Sequence, residues 1–120
     1  MPPIKPIQEE RIDNLLMYPE AINQAEIKVL ELSEIAELAH ADVKEQDAVF
    51  NAQVNANPAF KNQGQRDTEI NAIRDASEEY TNVLIEREEA NKNLAIARIG
   101  LNFLQNMFRA YLAIVGGQQK

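Results

Sequence analysis

Glu37 and His40 are the pair whose residue types and spacing come closest to chemistry in this sequence. A Glu-x-x-His run on a helix places a carboxylate and an imidazole on one side, one turn apart. Di-iron helical bundles use two such runs with two further glutamates, all facing inward. One chain supplies one run, so the site would need a dimer, with Glu79 or Glu86 near the right level. The surroundings argue for solvent instead. Ala36 and Ala39 occupy the apolar seam, which turns Glu37 and His40 sideways, and their stripe continues into Lys44 and Asp47. His40 is the sole histidine and cysteine is absent, so thiolate metal sites and disulfides are excluded. Nucleophilic triads have no support, because Ser33 and Ser77 fall inside helical patterns. Gly64, Gly100 and Gly116-Gly117 build no phosphate-cradling loop. The sequence thus implies no catalytic residue, metal or cofactor, and a protein that is not an enzyme. A di-metal carboxylate dimer stands third among its functional readings.

The elements that carry these residues follow from a seven-residue apolar repeat. It reads Ile22, Ala25, Val29, Leu32, Ala36, Ala39, Val43 and Phe50. It resumes as Ile73, Ala76, Tyr80, Val83, Ala90, Leu94, Ala97, Leu101, Leu104, Phe108, Tyr111 and Val115. Spacing that alternates three and four keeps one stripe of a helix against a partner helix. The repeat is broken once, from Asn57-Pro58 to Gly64, where a residue before proline avoids the helical region. The fold class is therefore all-α: a long antiparallel, coiled-coil-like hairpin with a short N-terminal helix, forming a dimeric or higher helical bundle.

The segments are residues 1–6, proline-rich and flexible; a short helix over 7–17, stopped by Pro19; a helix over 19–56; a turn over 57–61; a helix over 62–115; and a tail over 116–120. Asn62 and Gln65 have the spacing of a capping box and start the last helix, with Asp67 as a rival start. Gly116 is the expected left-handed C-cap. The last helix outruns its partner, and the short first helix is expected to cover the overhang from Gly100 to Val115. At this length the chain is a single domain, and a two-helix core alone leaves half of each helix wet.

Charge and surface pattern narrow the partners. The net charge is -7, with 11 acids against 4 bases in residues 1–60 and 8 of each in 61–120. An acidic first half argues against direct binding to nucleic acid, which needs excess Lys and Arg. The sequence lacks an apolar core of signal-peptide length at its start and any apolar run of about 18 residues, so a cytoplasmic protein without a membrane span is expected. Apolar residues extend beyond the seam at Ile27, Leu30, Leu38 and Ile85, and again at Ile99, Phe103, Met107 and Leu112. Helices apolar around most of their girth are buried on more than one side, so these eight residues are the expected self-association surface of a homo-oligomer. Phe60, Lys61, Asn62 and Arg66 cluster at the turn and are the expected contact for an unidentified protein partner. The leading functional reading is a non-enzymatic interaction or assembly protein that presents its hairpin tip. The alternative is an acidic mimic of nucleic acid that inhibits a DNA-processing enzyme through Glu26, Glu31, Glu34, Glu37, Asp42, Glu45 and Asp47.

The run Lys61-Asn62-Gln63-Gly64-Gln65-Arg66, the pair Glu79-Tyr80 and the run Leu104-Gln105-Asn106-Met107-Phe108-Arg109 resemble a group of small helical bacteriophage and prophage proteins. The resemblance covers about the second half of the chain. It implies a helical accessory protein, some of its kind belonging to replication or recombination gene clusters, and it supplies no catalytic residue.

Overall fold

A computed structural model describes the backbone of residues 7–118 and the side chains of residue 13 and residues 15–117. The expected flexible segment 1–6 and the last two residues lie outside the described residues. Among the described residues, three helices and no strand make up the fold: α1 (Ile7–Asn55), α2 (Gln63–Ala76) and α3 (Glu78–Gln118). The protein is an all-α helical hairpin. Its residues fall into two compact units, Ser33–Asn93 and a second one joining the chain up to Leu32 with the chain from Leu94 onward.

In the Ser33–Asn93 unit, α1 ends and the chain returns as α2. Asn57 makes the turn. Its Oδ1 accepts from the Ala59 amide at 3.0 Å, its carbonyl accepts from the Phe60 amide at 3.3 Å, and Pro58 bars further helix. Asn62 is the N-cap of α2, with extended backbone (φ -137°, ψ 166°) and Oδ1 accepting from the Gln65 amide at 2.8 Å. The Gln65 side chain reaches back to the Lys61 amide at 2.8 Å. The expected cap therefore forms, and the rival start at Asp67 does not. The core of this unit is Ala36, Ala39, Val43, Val54, Ile70, Tyr80 and Ala90, with Val54 the most enclosed at 2 % exposure. Alanines on facing stripes let the backbones approach closely.

The unbroken helix expected over 62–115 is instead two helices. Ser77 ends α2 and starts α3, with φ -90° and ψ 110°. Its amide donates to the Arg74 carbonyl at 3.2 Å, its Oγ accepts from the Tyr80 amide at 3.0 Å, and its carbonyl accepts from the Thr81 amide at 3.1 Å. Serine followed by Glu78-Glu79 is a favoured helix start, since the hydroxyl satisfies an orphan amide and the acids meet the positive end of the dipole. The break leaves Ala76, expected on the seam, exposed.

In the second unit, the start of α1 lies against the end of α3. Here the expected stop at Pro19 does not occur, and α1 runs through the proline. Pro19 forfeits one helical bond and crowds the carbonyl of Leu15, at a cost of about 3 kcal/mol. Breaking the helix would also release Tyr18, whose ring sits 6.1 Å from Phe108 and 5.5 Å from Tyr111. Burial of large side chains contributes roughly 1.5–3 kcal/mol each, which offsets the proline. The expected short helix over 7–17 is thus the first part of α1, and Tyr18, just beyond it, makes the contact with the end of α3. At the other terminus α3 continues through Gly116 and Gly117 to Gln118. No described glycine has a positive φ, so the left-handed cap expected at Gly116 is absent. Among the described residues of this unit, Leu94 and Val115 are buried.

Candidate functional site

Glu37 and His40 form the one Glu-x-x-His run of the sequence. Both residues are exposed on α1, while Ala36 and Ala39 beside them are buried. Among the described residues no three His, Cys, Asp or Glu side chains gather as a metal-holding group.

At the tip, the turn spends most of its polar groups on itself. Asn62 caps α2, and Arg66 donates from Nη1 to the Phe60 carbonyl and from Nη2 to Gln63 Oε1, both at 3.5 Å. Phe60 and Arg66 are half-buried, whereas Lys61 and Asn62 are exposed. A shallow hollow is lined by Ala59, Phe60, Asn62, Gly64, Gln65 and Thr68, with Glu69. The structure therefore gathers Phe60 and Asn62 on one hollow, whereas Arg66 does not line it and meets Phe60 through the carbonyl bond. Lys61 keeps an ammonium group without a partner among the described residues.

A cluster that the sequence reading did not single out sits in the Ser33–Asn93 unit. Arg74, in the last turn of α2, donates from Nε and Nη2 to Asp47 Oδ1 at 2.9 and 2.8 Å. The Arg74 guanidinium lies 5.7 Å from the centre of the Tyr80 ring, and that ring is 5.7 Å from Phe50. Tyr80 is buried and its phenol hydrogen-bonds Asp47. Burial first, then the bond and charge of Asp47, push the phenol above its ordinary value, while the cations Arg74 and Arg87 oppose the shift. The cluster ties α1 to both α2 and α3 across the Ser77 break. Asp47 stands one residue off the heptad seam, and an acid beside a seam reads as solvated, so nothing in the apolar pattern marks it.

Exposed apolar residues are the other candidate surface. In the unit that contains the end of α3, Ile96 (58 %), Ile99 (69 %) and Phe103 (62 %) recur at three- and four-residue spacing. Ile27 and Leu30 are exposed on α1 of the same unit, and Leu112 is 46 % exposed. Met107 is half-buried. From Leu94 to Gly117 the charged residues are Arg98 and Arg109, about three turns apart on another side of the helix. Leu38 and Ile85, expected to belong with these residues, are exposed in the Ser33–Asn93 unit.

No family model matches this chain, and neither a curated protein nor a solved structure matches it. Among the described residues, no helix is long and apolar enough to cross a membrane.

Proposed function

We propose that this is a non-enzymatic assembly protein that associates with copies of itself through the end of α3. Its α1–α2 turn would then be presented to a protein partner. The supporting observation is the exposed stripe Ile96, Ile99 and Phe103, set in a stretch free of acids. Alternating three- and four-residue spacing suits another helix, and large exposed apolar patches mark interaction sites. An uncharged stripe lacks the groups that select an unlike partner, which favours a second copy. Met107, four residues beyond Phe103 on the same side of α3, would extend this contact. The tip contact would consist of Phe60, Lys61, Asn62 and Arg66. The resemblance to small phage and prophage proteins fits such an accessory role and is part of the proposal, as is a cytoplasmic location.

Light scattering across protein concentration tests the reading. Wild-type protein should show a multiple of the chain mass. Ile99→Glu with Phe103→Glu should reduce it to one chain while circular dichroism stays helical. A wild-type mass of one chain at every concentration would overturn self-association.

A further inference from the structure

Two stripes flank the helix seam on one side of the Ser33–Asn93 unit. On α1 the stripe is Ile35, Leu38, Asp42, Glu45 and Val49, an unbroken alternation of three and four. On α3 it is Glu79, Asn82, Glu86, Glu89 and Asn93, with the same alternation. The structure brings all of them but Asn82 together as the walls of two consecutive grooves. One is lined by Ile35, Leu38, Ala39 and Asp42 across from Glu86, Glu89, Ala90 and Asn93. The next is lined by Asp42, Glu45, Gln46, Val49 and Phe50 across from Ser77, Glu79 and Val83.

The composition of these walls is one-sided. Ile35, Leu38 and Val49 are 53 %, 68 % and 49 % exposed. Asp42, Glu45, Glu79, Glu86 and Glu89 line the grooves, and no Lys or Arg does. None of these five carboxylates has an ion-pair or hydrogen-bond partner among the described residues. Ordinary solubilising charge on a helix alternates in sign and pairs with lysines one turn away. Here the aliphatic row holds Asp42 and Glu45 and faces Glu79, Glu86 and Glu89, and the one lysine a turn away, Lys92 beside Glu89, lies outside the groove lining and makes no ion pair with it among the described residues.

We infer that this acidic, aliphatic channel is a docking site for a basic amphipathic helix of a partner protein. A helix laid along the channel would set leucine-type anchors on Ile35, Leu38 and Val49 and turn lysines or arginines toward Glu79, Glu86 and Glu89. Helix-in-groove recognition uses anchors at this three- and four-residue spacing. From Ile35 to Val49 the channel is roughly 20 Å long, which accommodates about four turns. A second copy of this face is the wrong occupant, because it would set five unpaired carboxylates against five, and like-charge juxtaposition costs several kcal/mol. Leu38 thereby leaves the self-association set. The inference goes beyond the assembly reading and stands whether or not the end of α3 self-associates.

The test uses the full chain and a fluorescent synthetic helical peptide of leucine and lysine, its leucines at three- and four-residue spacing. A scramble of the same composition and charge is the control. The amphipathic peptide should bind at least about tenfold tighter than the scramble, and its affinity should fall with added salt. Glu86→Lys with Glu89→Lys should weaken it about tenfold, and Ile35→Ser with Leu38→Ser comparably, whereas Glu37→Lys with Glu88→Lys should change it less than about threefold. Equal losses from the two charge-reversal pairs would reduce the effect to general acidity and overturn the site, as would equal binding of the scramble. A changed mass in light scattering for Ile35→Ser with Leu38→Ser would make a second copy the occupant and overturn it too. These substitutions lie on exposed helix surface, and a retained helical spectrum verifies the fold.

Discussion

Removing Arg74 should loosen the hairpin by a measurable and decomposable amount. Two charge-assisted bonds to Asp47 disappear, at 2.8 and 2.9 Å. Bonds to charged groups are worth about 1.5–3 kcal/mol when enclosed and exposed ion pairs about 0–1 kcal/mol. The two side chains are 31 % and 28 % exposed, so an intermediate figure of about 1 kcal/mol applies. The Tyr80 contact lies near the outer limit for a cation over a ring and adds about 0.5 kcal/mol. Arg74→Ala should therefore destabilise by about 1.5 kcal/mol, a fall in Tm of roughly 5–10 °C at this chain length. A double-mutant cycle with Asp47→Ala isolates the pair and should return a coupling near 1 kcal/mol. Arg66→Ala is the internal comparison. Its two bonds are both 3.5 Å long, and its cost should stay below about 0.5 kcal/mol. Urea unfolding followed by circular dichroism gives all of these values. A coupling within about 0.3 kcal/mol of zero would refute the claim that this cluster fastens α1 to α2 and α3.

Three further outcomes follow from single positions. Tyr80 holds its proton more tightly folded than unfolded, where the phenol titrates near 10.0; its stabilisation is complete below that pH and is lost as pH rises through the folded value. Wild-type stability should thus fall more steeply above pH ~10 than that of Tyr80→Phe, and parallel pH curves would contradict the buried, Asp47-bonded phenol. Gly100 lies inside α3 with open space where a Cβ would stand, so Gly100→Ala should raise stability by about 0.5–1 kcal/mol in thermal unfolding, whereas Gly64→Ala, whose Cβ would come 3.4 Å from Asn62 Oδ1, should gain less. Pro19→Ala should restore the bond to Leu15 and stabilise by up to ~3 kcal/mol; a loss of stability would mean that the proline sets a bend which the Tyr18 contacts require.

Much of this fold was legible because its punctuation is local. Asn57-Pro58 and the Asn62–Gln65 cap act within a few residues, and the turn forms where they place it. Ala36, Ala39, Val43, Tyr80, Ala90, Leu94 and Val115, all on the expected seam, are buried. Where the reading missed, a local signal competed with a distant one. Pro19 is a strong local stop, yet the rings of Phe108 and Tyr111, far along the chain, keep α1 intact. Ser77 carried a good helix-start signature, but an uninterrupted heptad on both sides masked it. Val54 sits off the heptad spacing because the buried stripe of α1 shifts by one position after Val43, passing through Asp47 and Phe50. Such a shift is a four-residue insertion in the repeat, visible once the partner residues are known.

The exposed apolar residues of these two surfaces belong to two physical classes, and the division bears on function. Ile96, Ile99 and Phe103 lie in a stretch whose charges are two arginines on another side of α3. Leu38 and Ile35 lie among Asp42, Glu86 and Glu89. Apolar area alone would assign both groups to one interface, since burial is non-directional. Charge removes that freedom. Identical neutral surfaces can meet without an electrostatic penalty, whereas identical acidic ones repel and call for a basic counterpart. Raising salt should therefore weaken docking in the channel while leaving contact at the end of α3 nearly unchanged, or strengthening it. If sedimentation and peptide titration showed the same salt dependence, the two surfaces would be one system and their separate assignment would fail.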